Sequence, residues 1–255
     1  MSERLHYVKK IVYYYANSIL EVIMSIFNRL LFISFEVSEE VIDLVKIITI
    51  CAIAALILIM FILHRTKSTM DTRATVFAAI SIALSFVLSF IKFPLPFLRF
   101  GGSVTLASFV PIIIYSYFYG PVRGLLAGIV YGLLQFIQDS WFLTPVQFIL
   151  DYVLAFASIA LAGVYKKILP EKAAVLVGAA SVGLARLIMH ILAGIIFFNA
   201  GFVYEGLPTS SALLYSTLYN VTYVVPDILI SIGVIAFMLY GKYFKSIGDI
   251  MKKKQ

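Results

Sequence analysis

The chain is poor in the residues that build metal sites, disulfide frameworks and catalytic centres. Its 255 residues include one cysteine (Cys51), one tryptophan (Trp141) and three histidines. A single cysteine excludes an internal disulfide framework, and no Cys/His cluster indicates a metal site. The sequence also lacks H-E-x-x-H, G-x-S-x-G and the Walker A glycine loop. We therefore expect no enzyme, no cofactor, no resident metal and no ATP binding by the chain's own residues.

Charged residues are scarce as well, at 13%, whereas 62% of the residues are hydrophobic and the mean hydropathy is +1.01. Soluble domains average roughly 45–50% apolar and about 25% charged residues. The composition therefore excludes a soluble enzyme, a disordered regulator and a secreted disulfide scaffold. The net charge of +7 is typical of a membrane protein whose Lys and Arg hold its loops in the cytoplasm, so we expect a lipid bilayer and no nucleic acid as partner.

Long apolar runs, broken by charges, Pro and Gly, locate the membrane spans. The sequence predicts spans at about 43–64, 74–92, 104–119, 121–139, 146–165, 173–199 and 211–241. The last run is long for one span, so it tilts or begins outside the hydrocarbon. A further helix, at about 8–35, carries its polar residues within one third of its circumference, which suits an interfacial helix or a span with one face against protein.

The basic residues predict the orientation. They cluster in alternate connections and in the tail: Arg65, Lys67 and Arg73; Arg123; Lys166, Lys167 and Lys172; Lys242, Lys245 and Lys252 to Lys254. Under the positive-inside rule these segments are cytoplasmic. The opposite connections, at about 93–103, 139–145 and 200–210, hold only Arg99, with Lys92 at the edge. We therefore predict a multi-pass protein of the cell membrane whose core has both ends in the cytoplasm.

Three regions follow from this division. Residues 1–70 form an N-terminal extension, an amphipathic helix plus one transmembrane span that together make a helical hairpin. Residues 71–245 form a six-helix membrane core, and residues 246–255 a basic cytoplasmic tail. The expected fold is thus an all-α membrane protein. No apolar segment with a small-residue cleavage site follows the basic start, so we expect no cleavable signal peptide.

Small residues at helical spacing form two smooth faces. Gly120, Gly124, Gly128 and Gly132 recur every fourth residue, and a stripe of this kind predicts close helix packing within the protein. The second face lies on the first core helix and comprises Ala74, Thr75, Ala78 and Ala79, with Ala83 beyond them. Because this helix follows a cytoplasmic linker, its small face either packs within the protein or docks a partner.

Ionisable residues within spans are costly and indicate function. The core holds Asp151, Arg186, His190 and Asp227, with Gln147, Tyr152, Tyr215, Tyr219, Asn220, Trp141, Phe197 and Phe198 towards the outer helix ends. A carboxylate, an imidazole, an amide and several rings facing outwards would suit a small, flat organic cation. Structural alternatives exist: Asp151 or Asp227 pairs with Arg186, His190 is a packing residue, and Trp141 belongs to an interfacial belt.

Several separated motifs resemble one family, the thiamine-specific substrate-binding (S) components of energy-coupling factor transporters, or ThiT/YuaJ family. Gly101-Gly102-Ser103-Val104 followed by Pro111-Ile112 is similar to the family's first loop and second helix. PVQFILDYVLAFASIALAG, ARLIMHILAGIIFF, and Tyr215 to Asn220 followed by VTYVVP look like its fourth, fifth and sixth helices. The resemblance covers about residues 74–245, and the first 70 residues lie outside it.

The resemblance implies a set of thiamine contacts where the motifs match. These are the acidic–Tyr pair Asp151 and Tyr152, then His190, Gly194 and Phe198, and finally Tyr215 and Asn220. Asp151 is shorter than the Glu frequent in the family, and Phe198 stands where the ring is often Trp. A Trp and a Glu that some members carry before the second helix are Gly102 and Leu106 here, so this chain differs on the first-loop side of the pocket.

The resemblance also implies a function. An S component binds thiamine from outside with high affinity, docks on a transmembrane coupling protein driven by two cytoplasmic ATPase subunits, and releases the vitamin inside. Ala74, Thr75, Ala78 and Ala79 would be the docking surface. Two alternatives remain open from the residues: a stand-alone proton-coupled thiamine carrier, with Asp151, His190 and Asp227 as relay groups, and an S component for another vitamin.

Overall fold

The computed structural model describes Asp43, Ile47, Leu98 and the segments 71–95, 102–139, 144–199 and 212–252, without the side chains of residues 197–199 and 252. Asp43 and Ile47 are helical. The rest of the predicted N-terminal hairpin lies outside the described residues, and so does Trp141.

The described segments contain seven helices and one two-stranded sheet. In chain order they are α1 (Thr72–Ser89), β1 (Lys92–Pro94), β2 (Ser103–Thr105), α2 (Val110–Tyr119), α3 (Pro121–Gln138), α4 (Pro145–Lys167), α5 (Glu171–Asn199), α6 (Ala212–Tyr240) and α7 (Tyr243–Lys252). Five of these helices, α1, α3, α4, α5 and α6, are long and apolar enough to cross a membrane. The prediction of a helical, multi-pass membrane protein is confirmed.

The second predicted span, at 104–119, is wrong in its first third. Residues Ser103–Thr105 form strand β2, which pairs antiparallel with β1, and helix α2 begins only at Val110. The strand ends where the Thr105 N–H donates to the Asp227 carboxylate, at 2.9 Å, which holds this backbone extended. A helix of 10 residues rises about 15 Å, half of the hydrocarbon thickness. Helix α2 is therefore a short helix within the bundle.

The small residues of helix α1 lie on two different faces, one buried and one exposed. Its start is capped by Asp71, whose carboxylate accepts from the Ala74 N–H at 2.6 Å. One face, made of Ala74, Ala78, Ser81, Ser85 and Ser89, is buried against the bundle. Thr75, Ala79 and Ala83 are exposed on another face. Of the four residues predicted to dock a partner, Ala74 and Ala78 therefore pack within the protein, whereas Thr75 and Ala79 are exposed, and the docking role stays a prediction.

The glycine stripe of α3 packs within the protein, as predicted. A Cβ at Gly128 would overlap the carbonyl oxygen of Phe156, and a Cβ at Gly132 would overlap that of Tyr152. Both carbonyls belong to α4, so the backbones of α3 and α4 are in direct contact. Small residues permit this close approach, which strengthens van der Waals packing where no hydrophobic force drives helices together.

Helix α4 is irregular along its length. An α-helical turn at Pro145–Phe148 passes into a π-helix at Ile149–Leu154, a short α segment and a 3-10 helix at Ser158–Gly163. Pi-helical turns are rare and are frequent at functional sites. The π segment contains both Asp151 and Tyr152, the acidic–Tyr pair expected to bind the ligand.

The basic end of the bundle is closed by α7. Phe244 and Met251 of this helix are buried in the main hydrophobic core. The Tyr119 hydroxyl donates to the Met251 carbonyl at 2.9 Å, and the Arg73 guanidinium donates to the Ile250 carbonyl. Helix α7 thus continues across the predicted boundary at residue 245 and packs its apolar face on the core, and the division into core and tail stays a prediction.

Candidate substrate cavity

A cavity of about 180 Å³ opens at the end of the bundle opposite the basic residues. Its wall is built from the segment after β1, from the ends of α3 and α4 that meet there, and from α5 and α6. Arg73, Arg123 and Lys166 lie at the other end, where they contact Ile250, Asp71 and Phe118. The cavity is thus on the side that the positive-inside rule predicts to be outside.

Asp151 and His190 meet across the cavity. The His190 Nδ1 lies 2.7 Å from an Asp151 carboxylate oxygen, which joins α4 to α5. The imidazole is buried and the carboxylate is one-fifth exposed. The His190 Nε2 has no hydrogen-bond partner among the described residues. The pair therefore offers a ligand both negative charge and a ring nitrogen that is oriented by its bond to the carboxylate.

A second ion pair lies deeper. Arg186, one turn before His190, places Nη1 2.6 Å from the carboxylate of Asp227 on α6. The other carboxylate oxygen accepts from the N–H and the hydroxyl of Thr105, at 2.9 and 2.5 Å. The guanidinium carbon lies 4.4 Å from the centroid of Phe109. The predicted pairing of Asp227 with Arg186 is confirmed, and the alternative pairing of Asp151 with Arg186 is wrong, because Asp151 pairs with His190.

The side chain of Asn220 joins α6 to α5 by hydrogen bonds. Its amide nitrogen donates to the carbonyl oxygens of His190 and Ser216, at 3.1 and 2.8 Å, and its amide oxygen accepts from the Tyr223 hydroxyl at 2.6 Å. The helices are close here, since a Cβ at Gly194 would overlap the Ser216 hydroxyl. Asn220 and Gly194 both line the cavity. Asn220 also joins the two helices by hydrogen bonds, and Gly194 permits their close approach.

Aromatic rings complete the wall. The Tyr152 hydroxyl donates to the Asp139 carbonyl at 2.9 Å, and its ring meets Phe136 edge-on at 5.1 Å. The Tyr223 ring lies 5.9 Å from His190, and Tyr219 meets Tyr223 edge-on at 6.2 Å. Rings in contact with a cavity that contains a carboxylate suit a flat cation, through cation–π attraction of about 0.5–2 kcal/mol each.

The cavity brings together five of the seven predicted ligand contacts: Asp151, Tyr152, His190, Gly194 and Asn220. Tyr215 lies beside the cavity wall instead of in it. Its ring packs 5.9 Å from that of Tyr219, one turn further along α6, and Tyr219 lines the cavity in its place. Phe198 lies in α5, and its side chain is outside the described residues.

Other lining residues were not predicted as contacts. They include Gly102, Ser103, Thr105, Gln135, Asp139, Arg186 and Tyr223. Tyr223 follows Asn220 by three residues and Tyr219 by four, so helical spacing alone could have placed it on the same face. The resemblance already placed Gly102 on the first-loop side of the pocket, whereas nothing in the sequence marks Thr105 as a lining residue.

No group of three or more metal-binding side chains occurs among the described residues. Helices long enough to span a membrane, arranged around a polar and aromatic-lined cavity, are typical of a multi-pass membrane protein that binds a small ligand. The family described as "Thiamine transporter protein (Thia_YuaJ)" matches residues 75–246, more than half of the chain. The chain therefore belongs to the thiamine transporter family.

Two relatives agree with this family. The thiamine transporter ThiT of Bacillus subtilis (strain 168) is 35% identical over 160 residues, which are 57% of this chain and 80% of the relative. A solved structure of ThiT from Listeria monocytogenes is similar with a TM-score of 0.57 and 27% sequence identity, over 67% of this chain and 96% of that one. The matched family region excludes residues 1–74 and the last turns of α7.

Proposed function

We propose that this chain is the high-affinity thiamine-binding subunit of an energy-coupling factor transporter, and that it is not an enzyme. The observation that carries the proposal is the Asp151–His190 pair facing a cavity of about 180 Å³ whose wall is rich in tyrosine. Thiamine joins a cationic thiazolium ring to a flat aminopyrimidine ring. A carboxylate beside aromatic faces complements the first ring, and ring nitrogens and amides complement the second.

The roles divide among the elements that form the wall. Asp151 on the π segment of α4 supplies the charge opposite to the thiazolium. His190 Nε2 and the Asn220 amide oxygen supply hydrogen bonds to the pyrimidine, and Tyr152, Tyr219 and Phe198 supply rings. Gly194 keeps α5 and α6 close enough for His190 and Asn220 to reach one ligand, since a Cβ there would overlap Ser216.

Energy for uptake would come from partners. The sequence contains no Walker A loop, so ATP would be hydrolysed by two cytoplasmic ATPase subunits acting through a transmembrane coupling protein. The exposed small residues of α1, namely Thr75, Ala79 and Ala83, form a face on which a helix of that coupling protein could pack closely. The chain would lie in the cell membrane with the basic end, including α7, in the cytoplasm.

Two measurements on the purified full-length chain test the proposal. Calorimetric titration should detect thiamine binding and little binding of riboflavin or biotin; tighter binding of another vitamin would identify a different ligand. In proteoliposomes the chain alone, with a proton gradient, should move no thiamine, and uptake should require the coupling protein, the ATPases and ATP. Uptake driven by the gradient alone would establish the stand-alone carrier instead.

A further inference from the structure

Three exposed aromatic rings lie together where α6 passes into α7. Phe237 and Tyr240 of α6 and Tyr243 of α7 are each more than half exposed. The Tyr243 ring stacks on Phe237 at 5.8 Å between ring centroids, and Tyr240 follows Phe237 by about one helical turn. A Cβ at Gly241 would approach the Tyr243 ring to 2.7 Å, so the missing side chain at this position lets the ring lie against the end of α6. We call Phe237, Tyr240 and Tyr243 the aromatic patch.

Three lysines border the aromatic patch. The Lys172 ammonium, at the start of α5, lies 4.5 Å from the centroid of the Tyr240 ring, within the range of cation–π attraction. Lys242 precedes Tyr243, Lys245 follows it by two residues, and all three lysines are exposed. Lys242 has a φ of +65°, the left-handed conformation that glycine most often supplies at a helix end. The turn between α6 and α7 therefore carries a charged side chain where glycine is common.

These three lysines have no carboxylate partner within 4 Å among the described residues, although Glu171 and Asp249 are close to them in the sequence. Other cations at the same end of the bundle have acceptors within the protein. Arg123 contacts a carboxylate, and Lys166 donates to a backbone carbonyl oxygen. The lysines beside the aromatic patch therefore keep their charge and their hydrogen-bond donors for a ligand outside the protein.

The aromatic patch lies at the level of the lipid headgroups. Helix α6 has 29 residues and rises about 43 Å, whereas the hydrocarbon core of a bilayer is about 30 Å thick. Even at a tilt of about 20°, the average for membrane helices, its last residue, Tyr240, lies at or beyond the hydrocarbon boundary. Tyrosine is enriched at this boundary. The rings and the lysines thus occupy the layer in which the apolar and the charged parts of a phospholipid meet.

We propose that the aromatic patch, together with Lys172, Lys242 and Lys245, binds one anionic phospholipid at the basic end of the bundle. The headgroup accepts hydrogen bonds from the lysines, and the glycerol backbone and first methylene groups contact the rings. A free inorganic anion does not match the rings, and a zwitterionic lipid does not match the charge of the lysines. The site is separate from the cavity, so the proposal does not depend on the proposed binding of thiamine.

Thermal unfolding of the full-length chain in a neutral detergent tests the proposal. A ligand that binds the folded state stabilises it, so dioleoyl phosphatidylglycerol should raise the unfolding temperature in a saturable way. Phosphatidylcholine with the same acyl chains should bind with an apparent affinity at least about fivefold weaker, as expected if even one lysine–anion attraction is lost. Inorganic phosphate should have no effect. Equal stabilisation by both lipids, or stabilisation by inorganic phosphate alone, would overturn the proposal.

Lysine variants locate the site. Lys172→Gln should weaken phosphatidylglycerol binding about fivefold, and Lys172→Gln/Lys242→Gln/Lys245→Gln should abolish the preference for phosphatidylglycerol over phosphatidylcholine. Lys167→Gln is the matched control, because Lys167 is an exposed lysine at the same end of the bundle that does not belong to the site. Its affinity should stay within about twofold of the original chain. All these side chains are exposed, so the variants should unfold at the original temperature when lipid is absent.

Two results with these variants would contradict the proposal. Equal losses for Lys172→Gln and Lys167→Gln would mean that phosphatidylglycerol responds to the overall charge and not to a site. If the triple variant keeps its phosphatidylglycerol affinity and no longer co-purifies with the coupling protein, the aromatic patch is a protein interface instead.

Discussion

Arg186 and Asp227 form a buried ion pair, 2.6 Å between Nη1 and Oδ2, that joins two neighbouring membrane helices. Asp227 is fully buried, and its second oxygen holds Thr105 at the end of β2. One carboxylate thus links α5, α6 and the segment that leads into α2. Because charges within a membrane are costly unless paired, this pair fixes how these three elements assemble.

Asp227→Leu should destabilise the protein strongly. It leaves the Arg186 guanidinium buried without its carboxylate, and breaking a buried pair in this way costs about 3–5 kcal/mol. The double variant Arg186→Met/Asp227→Leu should recover part of the loss, since no unpaired charge remains. Unfolding in detergent, followed by calorimetry or by denaturant titration, measures both. Equal destabilisation by the single and double variants would contradict the pairing as the source of the effect.

Asp151→Asn should weaken thiamine binding by about 1–3 kcal/mol, the range for a charge-assisted contact that loses its charge. The amide keeps the shape and a hydrogen bond to His190, so folding should be preserved. Calorimetric titration of the folded variant measures the effect. Unchanged affinity would remove Asp151 from the ligand contacts and leave it as a structural partner of His190.

Gly132→Ala should destabilise the bundle, because the added methyl group would overlap the Tyr152 carbonyl oxygen and force α3 and α4 apart. An overpacked site of this kind costs about 1–3 kcal/mol. Gly233→Ala is the matched control, since it lies in α6 with nothing within 4 Å of the new Cβ. It should be neutral or slightly stabilising, because Ala favours helix over Gly. Thermal unfolding of the two variants in one detergent decides the comparison.

Ala79→Leu/Ala83→Leu should separate binding from uptake. Both residues are exposed on α1, so thiamine binding by the isolated chain should survive, whereas uptake in cells and co-purification of the coupling protein should fall together. Ala180→Leu, an exposed alanine on α5, tests whether any bulky residue in the lipid-facing surface has this effect. Normal uptake by the double variant would mean that the partner docks elsewhere.

Deletion of residues 1–66 should leave thiamine binding in detergent intact, because every proposed contact lies beyond residue 100. Calorimetry on the truncated chain measures the affinity, and its thermal unfolding confirms that the core is folded. A truncated chain that folds and fails to bind would contradict the division into an extension and a separate core.

Composition and the spacing of apolar runs predicted the helical membrane fold, and the resemblance to a known family implied most of the cavity contacts. Asp151 and His190 were found because charged and imidazole groups within apolar runs are rare, and the glycine stripe because its period matches one helix face. Both signals are local in the sequence, so they can be recognised without knowing which helices are neighbours.

Contacts between residues far apart in the sequence cannot be predicted from such local patterns. The extended backbone at Thr105 depends on Asp227, which follows it by 122 residues, and nothing near Thr105 in the sequence marks a strand. For a similar reason, the sequence could not show which small residues of α1 are buried and which are exposed. Ala74 and Ala78 look the same as Thr75 and Ala79 in a helical wheel of small residues, and only the position of the neighbouring helices decides which pair is buried.

The hydrogen bond from Arg73 to the Ile250 carbonyl joins the first turn of α1 to α7. The first helix of the described core therefore lies next to its last helix, so the two ends of the core are neighbours. Neighbouring ends are the condition under which circular permutation preserves a fold. A permuted core, with Lys252 joined to Asp71 by a short linker and new termini in another connection, would keep every contact of the cavity while freeing the N-terminal extension for study on its own.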